Sequence, residues 1–156
     1  MFQYRVYGIP DEVAATVRAT LRSPQYGHPA HAELATGYGP CRLCLQTFDE
    51  GMDRRLLFTY QPFTDPAALP APGPVFIHEE PCVRYDGPRL PAALCALPLV
   101  LEGYGDGGTL LTQRRVGAEG VDGVLTEVFE QRETRYAHIR NGEAGCFIAR
   151  VERGGA

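Results

Sequence analysis

Apolar and polar positions alternate from the start of the chain. Phe2, Tyr4 and Val6 fall on one side and Gln3, Arg5 and Tyr7 on the other, the period-two pattern of a half-buried strand. Pro10 then opens a helix, with Asp11 and Glu12 at its positive end and Val13, Ala14, Val17 and Leu21 as its apolar stripe. This helix is expected to end near Ser23 and Pro24. From Pro24 to Pro40 the chain is rich in Gly, Pro and His without periodicity, which predicts a long surface loop. Strands are predicted at 42–48, 55–60, 75–79, 97–104 and 109–116, separated by Gly, Pro and Asp clusters. Val121, Val124, Leu125, Val128 and Phe129 follow the i, i+3, i+4, i+7, i+8 template of an amphipathic helix. Two short strands about the Asn141–Gly142 turn signal close the pattern. The expectation is one α+β domain over residues 1–156, a largely antiparallel sheet with two helices.

Composition narrows the function classes. The chain has 156 residues, a formal charge of -4 and a pI near 5.5, without the basic excess that drives phosphate-backbone binding, so no nucleic-acid partner is expected. All fifteen basic residues are arginine, which removes Schiff-base and lysine-base chemistry. No apolar run is long enough for a membrane span, and "MFQYRVYGIP" lacks the basic and apolar regions of a secretory signal. A cytoplasmic protein is expected, and five cysteines in a reducing compartment are expected as free thiols or metal ligands. Oligomeric state is not legible.

Three segments carry the candidate chemistry: "GPCRLCL" from Gly39, "GPVFIHEEPC" from Gly73 and "HIRNGEAGCFIARVER" from His138. In this order and at these positions they resemble the uncharacterised bacterial domain-of-unknown-function family 1203. The resemblance covers most of the chain, its last segment is the most specific, and it implies a family without an assigned reaction.

The residues support three readings. Alternation along the strand at 136–140 puts Tyr136, His138 and Arg140 on one face, and such a face is expensive to bury dry. The leading reading is a concave site in which Arg42, His138, Arg140 and Asn141 offer donors to a small anionic or polar molecule, covered by the 24–40 loop. The bland account of the same residues is a solvated face, with Arg140 paired to Glu80 or Glu143. The second reading takes Cys41, Cys44, His78 and Cys82 as a Cys₃His set suited to a closed tetrahedral zinc site, stabilising a structural or interaction module. Against it, a strand through Cys41 and Cys44 would point them to opposite faces, and His78 and Cys82 are separated by the Pro81 break. The third is a thiol enzyme with Cys146 as nucleophile and His138 as base, which needs a three- or five-residue loop or a bulge to share a face. A redox role for C-R-L-C is disfavoured because the residues after it look extended. His28 and His31 in "HPAH" are expected to be exposed, and "LLFTYQPF" (Leu56 to Phe63) to be a core strand.

Overall fold

A computed structural model describes residues 3–37, 39–62 and 73–154; Phe2, Tyr38 and Phe63 of the motifs above lie outside them. The elements run β1 (Tyr4–Tyr7), α1 (Asp11–Thr20), β2 (His31–Leu34), β3 (Arg54–Tyr60), β4 (Gly73–His78), β5 (Asp86–Gly87), α2 (Ala92–Cys95), β6 (Leu99–Tyr104), β7 (Leu110–Arg115), α3 (Gly120–Glu130), β8 (Tyr136–Asn141) and β9 (Phe147–Arg153). The strands form a six-stranded sheet in the order β5-β1-β9-β8-β6-β7 and a three-stranded sheet in the order β2-β3-β4. Every pairing in both is antiparallel. This is an α+β fold, and no helix among the described residues is long and apolar enough to cross a membrane.

Two apolar clusters hold the sheets. In the first, Leu99, Leu101, Ala137, Ile139, Ala149 and Val151 on one face of the large sheet meet Val121, Val124, Leu125 and Val128 of α3. The helical stripe read from the sequence is this buried face. In the second, Ala14 and Val17 of α1, Leu56 and Phe58 of β3 and Val75 and Ile77 of β4 close around Leu43, Phe48 and the two cysteines Cys41 and Cys44. Phe147 of β9 belongs to this second cluster, and its ring stands 5.8 Å from that of Tyr60, so the small sheet packs on the other face of the large one.

Three expectations change. Residues 42–48 form no strand: Cys41 to Gln46 turn back on themselves, and Leu45 takes a left-handed φ of 57°. The 24–40 segment is not all loop, since β2 lies within it and pairs with β3. The two predicted helices are present as α1 and α3, and a four-residue turn of helix, α2, joins them. Helix α1 ends at Thr20, where Leu21 adopts φ 55° and donates its N–H to the Val17 carbonyl, slightly before the predicted stop.

Candidate metal centre

The turn at Cys41 is built by its neighbours. The Cys41 N–H donates to the Gln46 carbonyl at 3.0 Å, and the Leu45 N–H donates to the Cys41 carbonyl at 2.9 Å. A left-handed leucine costs roughly 1–2 kcal/mol, which full burial of its side chain in the first cluster offsets. The turn carries Cys41 and Cys44 to the same side, and this overturns the opposite-face expectation for a strand. The alternation of Leu43 and Leu45 with polar residues imitated a strand because both leucines are buried, each in a different cluster.

His78 ends β4, and the break at Pro81 returns the chain so that Cys82 faces the turn. The Sγ atoms of Cys41 and Cys82 are 3.9 Å apart, and Cys44 Sγ lies 3.5 Å from His78 Nδ1. One ligand atom from each of Cys41, Cys44, His78 and Cys82 falls within 4.8 Å of the other three. Ligands on a tetrahedral zinc, at about 2.3 Å for sulfur and about 2.0–2.1 Å for nitrogen, stand roughly 3.8 Å apart for S···S and 3.6 Å for S···N. The Cys41–Cys82 and Cys44–His78 separations match those edges.

The surroundings suit such a centre. His78 Nε2 lies 3.5 Å from Asp53 Oδ2, so the far side of the ring has a carboxylate to orient it and leaves Nδ1 to face the sulfurs. The His78 N–H donates to Cys41 Sγ at 3.3 Å, and Arg18 Nη2 donates to Cys82 Sγ at 3.3 Å while also holding the His78 carbonyl. Phe48 packs its ring 4.6 Å from the imidazole. Hydrogen bonds from Cys44 and Cys82, with a smaller one from His78, hold the Cys41 thiol far below the ordinary range, and Cys44, which keeps its proton beside Cys41, is pushed up. Contacts with Cys41 and then Cys82 raise His78 to about 10. Without a metal the Cys41 thiol is thus the group that gives up its proton while Cys44 and His78 keep theirs, and a bound metal would displace both of those protons.

Arg42 sits between Cys41 and Cys44 in sequence, and its guanidinium is held by backbone carbonyls. Its Nε donates to the Phe147 carbonyl at 2.7 Å and its Nη1 to the Pro40 carbonyl at 2.5 Å. No carboxylate pairs with it among the described residues, and burial lowers it to about 10, opposed by the charges of Cys146 and Cys41. A zinc with three thiolates and one imidazole would carry a net charge of -1, which the charges of Arg18 and Arg42 would offset.

Of the other sequence candidates, His138, Arg140 and Asn141 lie on β8 and Cys146 in the loop after it. His138 is fully buried among the rings of Tyr104, Tyr136 and Phe147, with centroids 5.0, 5.3 and 5.1 Å away. Burial first, then the charges of Arg140 and Arg150, push it down to about 2. Arg140 pairs with neither Glu80 nor Glu143: its Nε donates to Glu102 Oε1 of the adjacent β6 at 2.5 Å, and its Nη1 to the Gly145 carbonyl at 3.1 Å. Asn141 turns its Oδ1 to the N–H groups of Glu143 and Ala144, both at 2.8 Å, and so shapes the β8–β9 loop. That loop spans residues 142–146 and is followed by a register shift at Ile139/Arg140. Even so, it is the ring of Phe147, and not Cys146, that meets the His138 imidazole. Cys146 Sγ instead lies 4.0 Å from the Ala144 carbonyl. His28 stacks on Tyr26, and His31 lies exposed on β2, 3.9 Å from Glu33.

Sequence reasoning missed Asp53, Arg18 and Glu102. Asp53 carries a faint signal, standing directly before the strand that pairs with His78 in the Arg55↔His78 register. Arg18 and Glu102 carry none, because each meets its partner only across elements.

A family model described as "Protein of unknown function (DUF1203)" matches residues 38–153. No curated protein and no solved structure matches the chain.

Proposed function

The chain belongs to the DUF1203 family, which brings no activity with it, and we propose that this member is a zinc-stabilised module in which Cys41, Cys44, His78 and Cys82 hold one structural ion. The observation that carries this reading is the pair of separations within the cluster, 3.9 Å between Cys41 and Cys82 and 3.5 Å between Cys44 and His78, both edges of a zinc tetrahedron. All four positions come from the protein, which fits a closed structural site and leaves no position for a substrate. Asp53 would orient His78, and Arg18 and Arg42 would balance the excess thiolate charge.

The role follows from what the ligands join. Cys41 and Cys44 lie in the turn, His78 ends an edge strand of the small sheet, and Cys82 begins the path back to β5 of the large sheet. An ion there would reinforce three chain segments that backbone hydrogen bonds already bring together, Arg42 N–H to the Phe76 carbonyl at 2.9 Å and Tyr85 N–H to the Leu43 carbonyl at 2.8 Å.

Metal analysis of protein purified without chelators tests this. One equivalent of zinc is expected, and cobalt substitution is expected to give the visible bands of a tetrahedral site with thiolate-to-cobalt charge transfer. Protein that neither retains nor takes up a stoichiometric metal under reducing conditions overturns the reading.

A further inference from the structure

The three sulfurs of the cluster are not equally sheltered. Cys41 and Cys44 are buried, Cys41 completely, whereas Cys82 is partly exposed. Two grooves, of about 600 and 380 Å³, flank the cluster, and both have His78 and Cys82 on their walls. A small solute can reach the Cys82 sulfur from either groove, while the Cys41 sulfur lies 3.9 Å behind it.

The backbone divides the same two residues. Cys41 is fixed in the turn: its N–H donates to the Gln46 carbonyl, its carbonyl accepts from Leu45, and its Sγ accepts the His78 N–H at 3.3 Å. Cys82 lies between β4 and β5, in a stretch held at one end by the Glu79 N–H on the Arg54 carbonyl and at the other by the Tyr85 N–H on the Leu43 carbonyl; residues 80–84 between them form no strand or helix. Arg18 of α1 steadies the side chain, its Nη2 donating to Cys82 Sγ at 3.3 Å and to the His78 carbonyl at 3.0 Å. Closing the gap between Cys41 and Cys82 to an S–S bond of about 2.05 Å is a movement of about 2 Å, and the segment that carries Cys82 is the one free to make it. Cys44 is engaged elsewhere, with its Sγ on His78 Nδ1.

We propose that Cys41 and Cys82 are a redox pair through which hydrogen peroxide discharges the metal, a property that rests on the zinc reading above. In the loaded site both sulfurs are thiolates. Cys82 Sγ attacks one peroxide oxygen, the O–O bond breaks, and Cys82 becomes a sulfenic acid as hydroxide leaves. Cys41 Sγ then attacks Cys82 Sγ, the S–S bond forms, and a second hydroxide is expelled. The two sulfurs have given up two electrons, the peroxide has taken them, and two protons from solvent turn the hydroxides into water. Zinc keeps only Cys44 and His78 and is released. The disulfide joins the same two positions, 41 residues apart, that the ion joined, so the turn stays tied to the segment after β4 when the metal has gone.

The test uses the full chain, purified reduced and supplied with one equivalent of zinc, so that metal uptake is decided before any oxidant is added. A reduced protein that takes up no zinc overturns the zinc reading and this proposal together. Hydrogen peroxide is then added, zinc release is followed with a chromogenic chelator, and thiols and disulfides are mapped by alkylation and peptide mass spectrometry. One zinc is expected to appear per Cys41–Cys82 disulfide, and a dithiol with zinc is expected to restore the loaded protein. Cys82 is expected to be oxidised about tenfold or more faster than Cys95, which is exposed on α2, because a metal-bound sulfur is an anion and a free thiol is mostly protonated near neutral pH. In Cys41→Ser, dimedone is expected to trap the sulfenic acid on Cys82. Protein that keeps its zinc while Cys95 is oxidised, release of zinc without the Cys41–Cys82 disulfide, a loss that a dithiol does not reverse, oxidation of Cys82 no faster than Cys95, or no trapped sulfenic acid in a folded Cys41→Ser protein each overturn the proposal and leave the zinc reading standing. Should Cys41→Ser fail to fold, the wild-type disulfide map and zinc release decide alone.

Discussion

Arg42 and Phe147 are 105 residues apart in the chain, and the guanidinium Nε of the first donates to the backbone carbonyl of the second at 2.7 Å. One end of this contact is the turn that carries two of the four candidate metal ligands; the other is the first residue of β9, in the middle of the large sheet. Arg42→Ala is expected to lower unfolding free energy by about 2–4 kcal/mol, because it removes a charge-assisted hydrogen bond and leaves the Phe147 carbonyl buried. Urea denaturation measures it, and a loss below about 0.5 kcal/mol would mean that the contact does not couple the two parts.

Metal removal is the second expectation. An ion that binds only the folded chain stabilises it by about 4 kcal/mol when free metal exceeds its dissociation constant a thousandfold. A strong chelator is therefore expected to lower the melting temperature of the wild type and to leave Cys41→Ser, Cys82→Ser and His78→Ala unchanged. Calorimetry with and without chelator checks it; equal shifts in wild type and variants would place the metal elsewhere.

Asp53→Asn is expected to weaken metal binding by about 10- to 100-fold without abolishing it, since it alters only the group behind His78. Competition against a chelator of known affinity reads this directly. Wild-type affinity in the variant would show that Asp53 does not orient the ring.

Acid stability follows from His138. Its folded pKa, about 2, is depressed by burial and then by Arg140 and Arg150, whereas the unfolded chain titrates near 6.5. The unfolded state therefore takes up the proton first as pH falls, and stability drops below about pH 6.5 by roughly 1.4 kcal/mol per unit, levelling only near the folded value. The wild type is expected to lose this much more between pH 7 and pH 5 than His138→Phe, measured by urea midpoints. Parallel pH profiles would assign acid sensitivity to another group.

The buried ion pair gives a sharper contrast. Glu102→Ala leaves Arg140 charged and unpaired in the interior, an effect of about 3–5 kcal/mol, while Glu102→Leu with Arg140→Met is expected to recover most of it. Urea denaturation of both variants checks it, and a double variant no more stable than Glu102→Ala would mean that the buried charge is not the source of the loss.

Much of this architecture is legible in the residue pattern. The α3 stripe, the strands from β6 to β9 and the α+β class follow from periodicity because each element buries one face against a single neighbour. The turn at Cys41 was hidden for the opposite reason: Leu43 and Leu45 are both buried, yet in different clusters, so the alternation that reads as a strand arises from two cores on either side of a bend. Strand β2 was hidden because its residues are mostly exposed and only its backbone pairs. Glu102 escaped notice as the partner of Arg140 because register between β6 and β8 is a tertiary property, whereas Glu80 and Glu143 were near in motif or in sequence. Cys41, Cys44, His78 and Cys82 were read as a candidate metal set, but their convergence depended on that unseen bend.

The order β5-β1-β9-β8-β6-β7 sets a schedule for synthesis. Strand β9 lies between β1 and β8, so while a ribosome is still making the chain, the N-terminal strand has only the two residues of β5 to pair with, and β8 presents an open edge. The apolar faces of Ala149 and Val151 arrive last, and until then Leu99, Leu101 and Ile139 are covered from one side alone. Closure of the large sheet thus joins strands far apart in the sequence, a high-contact-order step expected to be slow and to leave the partly folded chain dependent on protection from aggregation.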